Sequence, residues 1–107
     1  MIDDIALEYE TRDVFLIAER AGVPVVYESW HPTTYGEFER RSKTIRVNRN
    51  ALATAKNAED LERKIVAHEL GHFFAADLKL NKRDEEKFAR RFADEFAGRA
   101  EIEKSNK

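Results

Sequence analysis

The sequence predicts a small α/β domain of the α+β kind, on three observations. The second half of the chain carries two stretches of helical apolar spacing, the middle is β-branched and aromatic, and a length of 107 residues fits one domain rather than two. With 42% hydrophobic residues, seven Phe and one Trp among them, the chain has enough apolar material to fold despite being 37% charged. The expected order is an N-terminal helix, a small three-stranded sheet and two C-terminal helices, all in a single domain over residues 1–107.

Each element has a local reason. Ile5, Tyr9, Val14, Ile17, Ala18 and Ala21 recur at helical spacings, and Gly22 followed by Pro24 is a stop signal, so one helix is expected from about Ile2 to Ala21. Val23 to Trp30 reads as a strand whose early Pro suits a sheet edge. His31 to Gly36 reads as a turn, and strands at Gly36–Arg40 and Lys43–Asn48 complete an expected meander in a sheet that is antiparallel or mixed. Asn50 is placed to cap a short helix through Lys56. A long helix follows from Ala58 to about Leu78. After a break at Asn81–Asp84, the stripe Phe88, Ala89, Phe92, Ala93, Phe96, Ala97 and Ala100 defines a final helix running toward Glu103, with a frayed tail at Lys104–Lys107.

Charge and cysteine usage narrow the partners. Nineteen basic against twenty-one acidic side chains give a net charge of −2, which offers no electrostatic basis for direct nucleic-acid binding or for an anionic membrane surface. The absence of cysteine removes disulfides, thiolate zinc sites and thiol nucleophiles, and it suits a reducing compartment. An acidic start, Met1-Ile2-Asp3-Asp4, is unlike a signal peptide, and no apolar run approaches membrane-spanning length, so a cytoplasmic protein is expected.

The chemistry concentrates in His68-Glu69-Leu70-Gly71-His72, an H-E-x-x-H pattern inside the long helix. Four residues at about 100° each return nearly to the starting face, so both imidazoles point the same way and can share one cation. Neutral imidazole binds Zn²⁺ without cancelling its charge, leaving a Lewis acid able to lower the pKa of a water to about 7. Glu69, about 100° around the helix, is placed to contact that water as general base. Such a set hydrolyses amides. A catalytic zinc normally has three protein ligands, and carboxylates near the start of the final helix can face back to the ion. Glu86 lies on one stripe with Ala89, Ala93 and Phe96, and Glu85 on another with Phe88, Phe92 and Phe96, so periodicity does not separate them.

At these residues the sequence resembles the ImmA/IrrE family of zinc metallopeptidases, which belong to the gluzincin-like group. The likeness covers roughly Val23 to Ala97. It rests on His68-Glu69-Leu70-Gly71-His72 and on Glu86-Lys87-Phe88-Ala89-Arg90-Arg91-Phe92-Ala93, which is similar to the family's E-x-x-A-x-x-F-A segment. The resemblance implies a minimal zincin-like fold, Zn²⁺ held by His68, His72 and Glu86, and Glu69 as catalytic base. It also implies a protein substrate, often a helix-turn-helix transcriptional repressor. A non-catalytic zinc-containing module that docks such a partner is the alternative.

Tyr27, His31 and Tyr35 are candidate oxyanion stabilisers if the strand and loop region overhangs the ion, against packing for Tyr27 and turn chemistry for the other two. The run Glu39-Arg40-Arg41-Ser42-Lys43 reads as a solvated hairpin turn, and Phe73, Phe74, Phe88, Phe92 and Phe96 as core between the last two helices.

Overall fold

The computed structural model of the protein describes residues 2–31 and 34–98. In chain order these form α1 (Ile2–Tyr9), α2 (Val14–Arg20), β1 (Val25–Glu28), β2 (Gly36–Glu39), β3 (Thr44–Asn48), α3 (Arg49–Ala53) and α4 (Ala58–Ala75). A 3₁₀ turn at Ala76–Leu78, α5 (Lys82–Ala93) and a π turn at Asp94–Gly98 follow. The architecture is mixed α/β, of the α+β kind. The expected turn residues Pro32 and Thr33, the helix beyond Gly98 and the tail lie outside the described residues.

The single N-terminal helix expected over Ile2–Ala21 is instead two. Glu10 enters the left-handed region at φ 58°, and Thr11 N–H reaches back to the Ala6 carbonyl at 3.2 Å, which ends α1. Asp13 then caps α2, its carboxylate accepting from Phe15 N–H at 2.9 Å. Arg20 donates to the Tyr9 carbonyl, so the second helix satisfies the end of the first. Gly22, at φ 75°, ends α2 as its position predicts.

The expected meander is also corrected. The strand order is β1-β3-β2, with β3 antiparallel to β2 and parallel to β1. β3 takes the centre because Ile45 and Val47 are its inward residues and both are fully buried. Pro24, with no N–H to donate, directly precedes the edge strand β1. Facing the same way as Ile45 and Val47 are Val25 and Tyr27 of β1 and Gly36 and Phe38 of β2. The other face carries Arg46 between Glu28 at 3.6 Å and Glu37 at 3.4 Å.

The cap of α3 is Asn48 rather than Asn50, because its side-chain oxygen accepts from Asn50 N–H at 3.0 Å. Asn48 is fully buried, and its amide also donates to the carbonyls of Thr34 at 2.9 Å and His31 at 3.3 Å. A buried amide satisfied in this way fixes the loop leading into β2.

α4 packs across the inner face of β2 and β3 and along α2, and α5 folds back over α4. Asn57 caps α4 by accepting from Asp60 N–H at 3.1 Å, and Asn81 caps α5 by accepting from Asp84 N–H at 2.8 Å. The break expected at Asn81–Asp84 falls earlier, at Lys79 with φ 55°, because Asn81 caps α5 and Lys82–Asp84 form its first turn. The helices approach closely at Gly71, where a Cβ would sit 2.7 Å from the Ala89 Cα. Around that contact Phe92 stacks on Phe96 at 4.5 Å and meets Phe74 at 5.6 Å, making the aromatic core expected there. Among the described residues no helix is long and apolar enough to cross a membrane.

Candidate metal centre

α4 carries His68 and His72 one turn apart, with ring centroids separated by 5.1 Å, and α5 carries Glu86 to the same point. Glu86 Oε2 lies 3.0 Å from His68 Nε2, and Glu86 Oε1 lies 3.2 Å from His72 Nε2. One ligand atom from each of the three residues falls within 4.8 Å of the others, so this group could hold a metal ion.

The fit is tested by a single atom. His68 Nε2 is buried yet has no partner that meets hydrogen-bond geometry, although a carboxylate oxygen is close. Buried polar atoms are rarely left so. A ring nitrogen and a carboxylate oxygen 3.0 Å apart without hydrogen-bond geometry are compatible with two ligands of one cation.

Glu85 and Glu86 are both at the site, with different roles. His72 presents Nε2 to Glu86 and Nδ1 to Glu85, whose Oε2 lies 2.7 Å away. Arg40, from the turn after β2, pairs with the far side of Glu85. Arg40 was expected only as part of a solvated turn, and its partner is 45 residues away, beyond any local pattern. Arg90 donates to Glu86 Oε2 at 3.1 Å, one helical turn on, a pairing that the i,i+4 spacing does reveal. Burial acts to raise both carboxyls. It is outweighed for Glu85 by His72 and Arg40, and for Glu86 by His68, His72 and Arg90, so both stay below the usual carboxylate range. Burial pushes His68 down more than the Glu86 charge pulls it up, favouring the neutral imidazole a metal requires.

Glu69 is buried against β2 at 9% exposure. Burial pushes its carboxyl up to about 7, with Glu86 and Glu37 adding to the rise, while His72 and a hydrogen bond from the Phe38 backbone oppose it. It shares with His68, His72, Glu85 and Glu86 an open cleft of about 410 Å³ whose other wall is β2 with Arg40.

The three oxyanion candidates are dispersed. Tyr27 is on β1, across the sheet from the cleft wall, and its hydroxyl donates to Glu62. Burial, helped by Glu62, pushes that phenol up to about 12. His31 is exposed in the loop that Asn48 holds by its carbonyl. Tyr35 lines a groove together with His68 and Glu69.

Compared with known proteins, the chain matches no family model, no curated sequence and no solved structure.

Proposed function

We propose that this protein is a zinc metalloendopeptidase of the ImmA/IrrE-like kind, acting in the cytoplasm on a protein substrate such as a helix-turn-helix repressor. The observation that carries the reading is the orphaned His68 Nε2, turned with His72 Nε2 and Glu86 into one cleft beside a buried carboxylate. Each imidazole Nε2 has one oxygen of the Glu86 carboxylate at 3.0 or 3.2 Å, a different oxygen for each ring, and one donor atom from each of the three residues lies within 4.8 Å of the others, a spacing from which small side-chain adjustments would close around one ion. Two imidazoles and one carboxylate, with no thiolate in the chain, are a donor set suited to a hydrolytic zinc.

In this reading His68, His72 and Glu86 hold the ion. When bound, zinc supplies Lewis acidity that eases water deprotonation and polarises the scissile carbonyl. Glu69 accepts the proton of the attacking water and returns it to the departing amine, the reason a carboxylate must stand in the same cleft. Glu85, held by Arg40, fixes the His72 ring through Nδ1.

The purified protein is expected to take up one zinc per chain and to cleave an unfolded protein, while Glu69→Gln keeps the metal and loses turnover by about 10²- to 10⁴-fold. Undiminished cleavage by Glu69→Gln removes the base, and failure to take up zinc removes the metal centre. Zinc uptake without cleavage by the unaltered protein selects the non-catalytic docking module.

A further inference from the structure

The face of the sheet turned away from α4 carries a separate groove of about 400 Å³. Glu28 of β1, Glu37 of β2 and Arg46 of β3 form its floor, and Trp30 and Thr34, from the loop between β1 and β2, form its wall. That wall is fixed from inside. The fully buried Asn48 amide donates to the Thr34 carbonyl at 2.9 Å and accepts from Trp30 N–H at 3.4 Å, while the Asn50 side chain donates to the Trp30 carbonyl at 2.8 Å. On the floor, one guanidinium serves two carboxylates: Arg46 Nε lies 3.6 Å from Glu28 and its Nη1 lies 3.4 Å from Glu37. Both separations are longer than the 2.7–2.9 Å of a close charge-assisted bond. The groove thus combines an aromatic residue with two carboxylates that share one loosely held cation, an excess of negative charge.

We propose that this groove docks an arginine side chain presented by a protein partner. Charge complementarity names the occupant. A guanidinium stacks on an aromatic face and offers its planar fork to carboxylates, the two kinds of group that Trp30, Glu28 and Glu37 bring to one place. Size agrees, since a cavity of about 150 Å³ already admits a benzene molecule and about 400 Å³ takes a guanidinium with its stem. Preorganisation favours binding as well, because the loop carrying Trp30 and Thr34 is held by Asn48 and Asn50 without the ligand's help. The groove contains none of the three candidate metal ligands, so the inference stands apart from the metallopeptidase reading. Glu37 lines both recesses, which places the docked partner beside the metal cleft, across β2.

Trp30 is the one tryptophan of the chain, so its emission and its indole proton resonance report occupancy directly. A blocked tripeptide, acetyl-Gly-Arg-Gly-amide, titrated into the full chain with no metal added, is expected to shift both signals. It is expected to bind at least about tenfold more tightly than its citrulline counterpart, which has nearly the same shape without the charge. Glu28→Gln, at an exposed position outside the metal cleft, is expected to weaken the arginine peptide by about three- to tenfold. Arg46→Gln is expected to strengthen it, because the resident cation no longer competes for the two carboxylates. An anion site built on Arg46 would respond in the opposite direction. Silence of both Trp30 signals, equal binding of the arginine and citrulline peptides, or weakening by Arg46→Gln overturns the proposal. Tighter binding of free arginine than of the blocked peptide also overturns it, in favour of an amino-acid site. Zinc uptake is read separately, so each of these results leaves the metal centre as it was.

Discussion

At the scale of single residues, two adjacent glutamates meet two nitrogens of one ring. Periodicity could not choose between Glu85 and Glu86, since neighbours on a helix stand about 100° apart and the His72 ring is wide enough to be contacted from both directions. The choice lies in three-dimensional placement, because Glu86 alone also reaches His68. Glu85→Ala is therefore expected to weaken zinc binding by about 10- to 100-fold through a loosened His72, and Glu86→Ala to weaken it further still, as read by competition with a chromogenic chelator. The reverse order would exchange the two roles. Tyr27 shows a different limit: its residue type suggested chemistry, and its partner Glu62 gives it a structural task. A phenol whose folded pKa is raised to about 12 contributes stability that is whole below the ordinary value near 10 and is lost as pH rises through 12. Denaturation midpoints should accordingly fall across that alkaline window, and Tyr27→Phe should flatten the fall.

At the scale of elements, the helices of the site and the aromatic core between them were legible, and the pairing of the strands was not. Asn57 and Asn81 stand at the starts of α4 and α5 as capping residues should, and the H-E-x-x-H spacing places both rings on one face. The split between α1 and α2 was also written in the chain, in Asp13 before Val14-Phe15-Leu16, but a continuous apolar stripe across the break hid it. The parallel pairing of β1 with β3 depends on contacts between segments far apart in sequence, which no local pattern encodes. Gly71 likewise answers to a contact that local spacing does not show, the close approach of α5. A methyl there would collide with the Ala89 backbone, so Gly71→Ala is expected to cost about 1–3 kcal/mol of stability, measured by urea unfolding. It should lower zinc affinity as well, because moving α5 carries Glu86 away from the imidazoles. An unchanged affinity would show that α5 can shift without disturbing the ligands.

At the scale of the whole molecule, metal binding and folding should be linked. The ligands come from two separate helices, so the unfolded chain presents no such set, and whatever binds only the folded state stabilises it. Free zinc at about a hundred times its dissociation constant adds about 2.7 kcal/mol, and for a chain of this length each kcal/mol raises the melting temperature by about 4–8 °C. A thermal shift of about 10–20 °C on zinc addition, reversed by a chelator, is expected from scanning calorimetry. No shift would mean that the groups do not close around an ion. The fold class was legible at this scale because the length, the β-branched middle and the two long helical stretches each constrain it independently.

The placement of the ligands bears finally on the order in which the molecule assembles. His68, His72 and Glu86 fall within residues 68–86, joined by one tight reversal of the chain. The clasp that secures the opposite end is remote: Arg12 donates to the Glu95 carbonyl at 3.2 Å and lies over the Phe96 ring at 4.9 Å, a contact spanning 83 positions. Since the entropy of ring closure grows with the length of chain enclosed, the helical hairpin can form early and the clasp is left for late in folding. The candidate metal centre is thus kinetically local, and the N-terminal helices are expected to arrive as a brace around it.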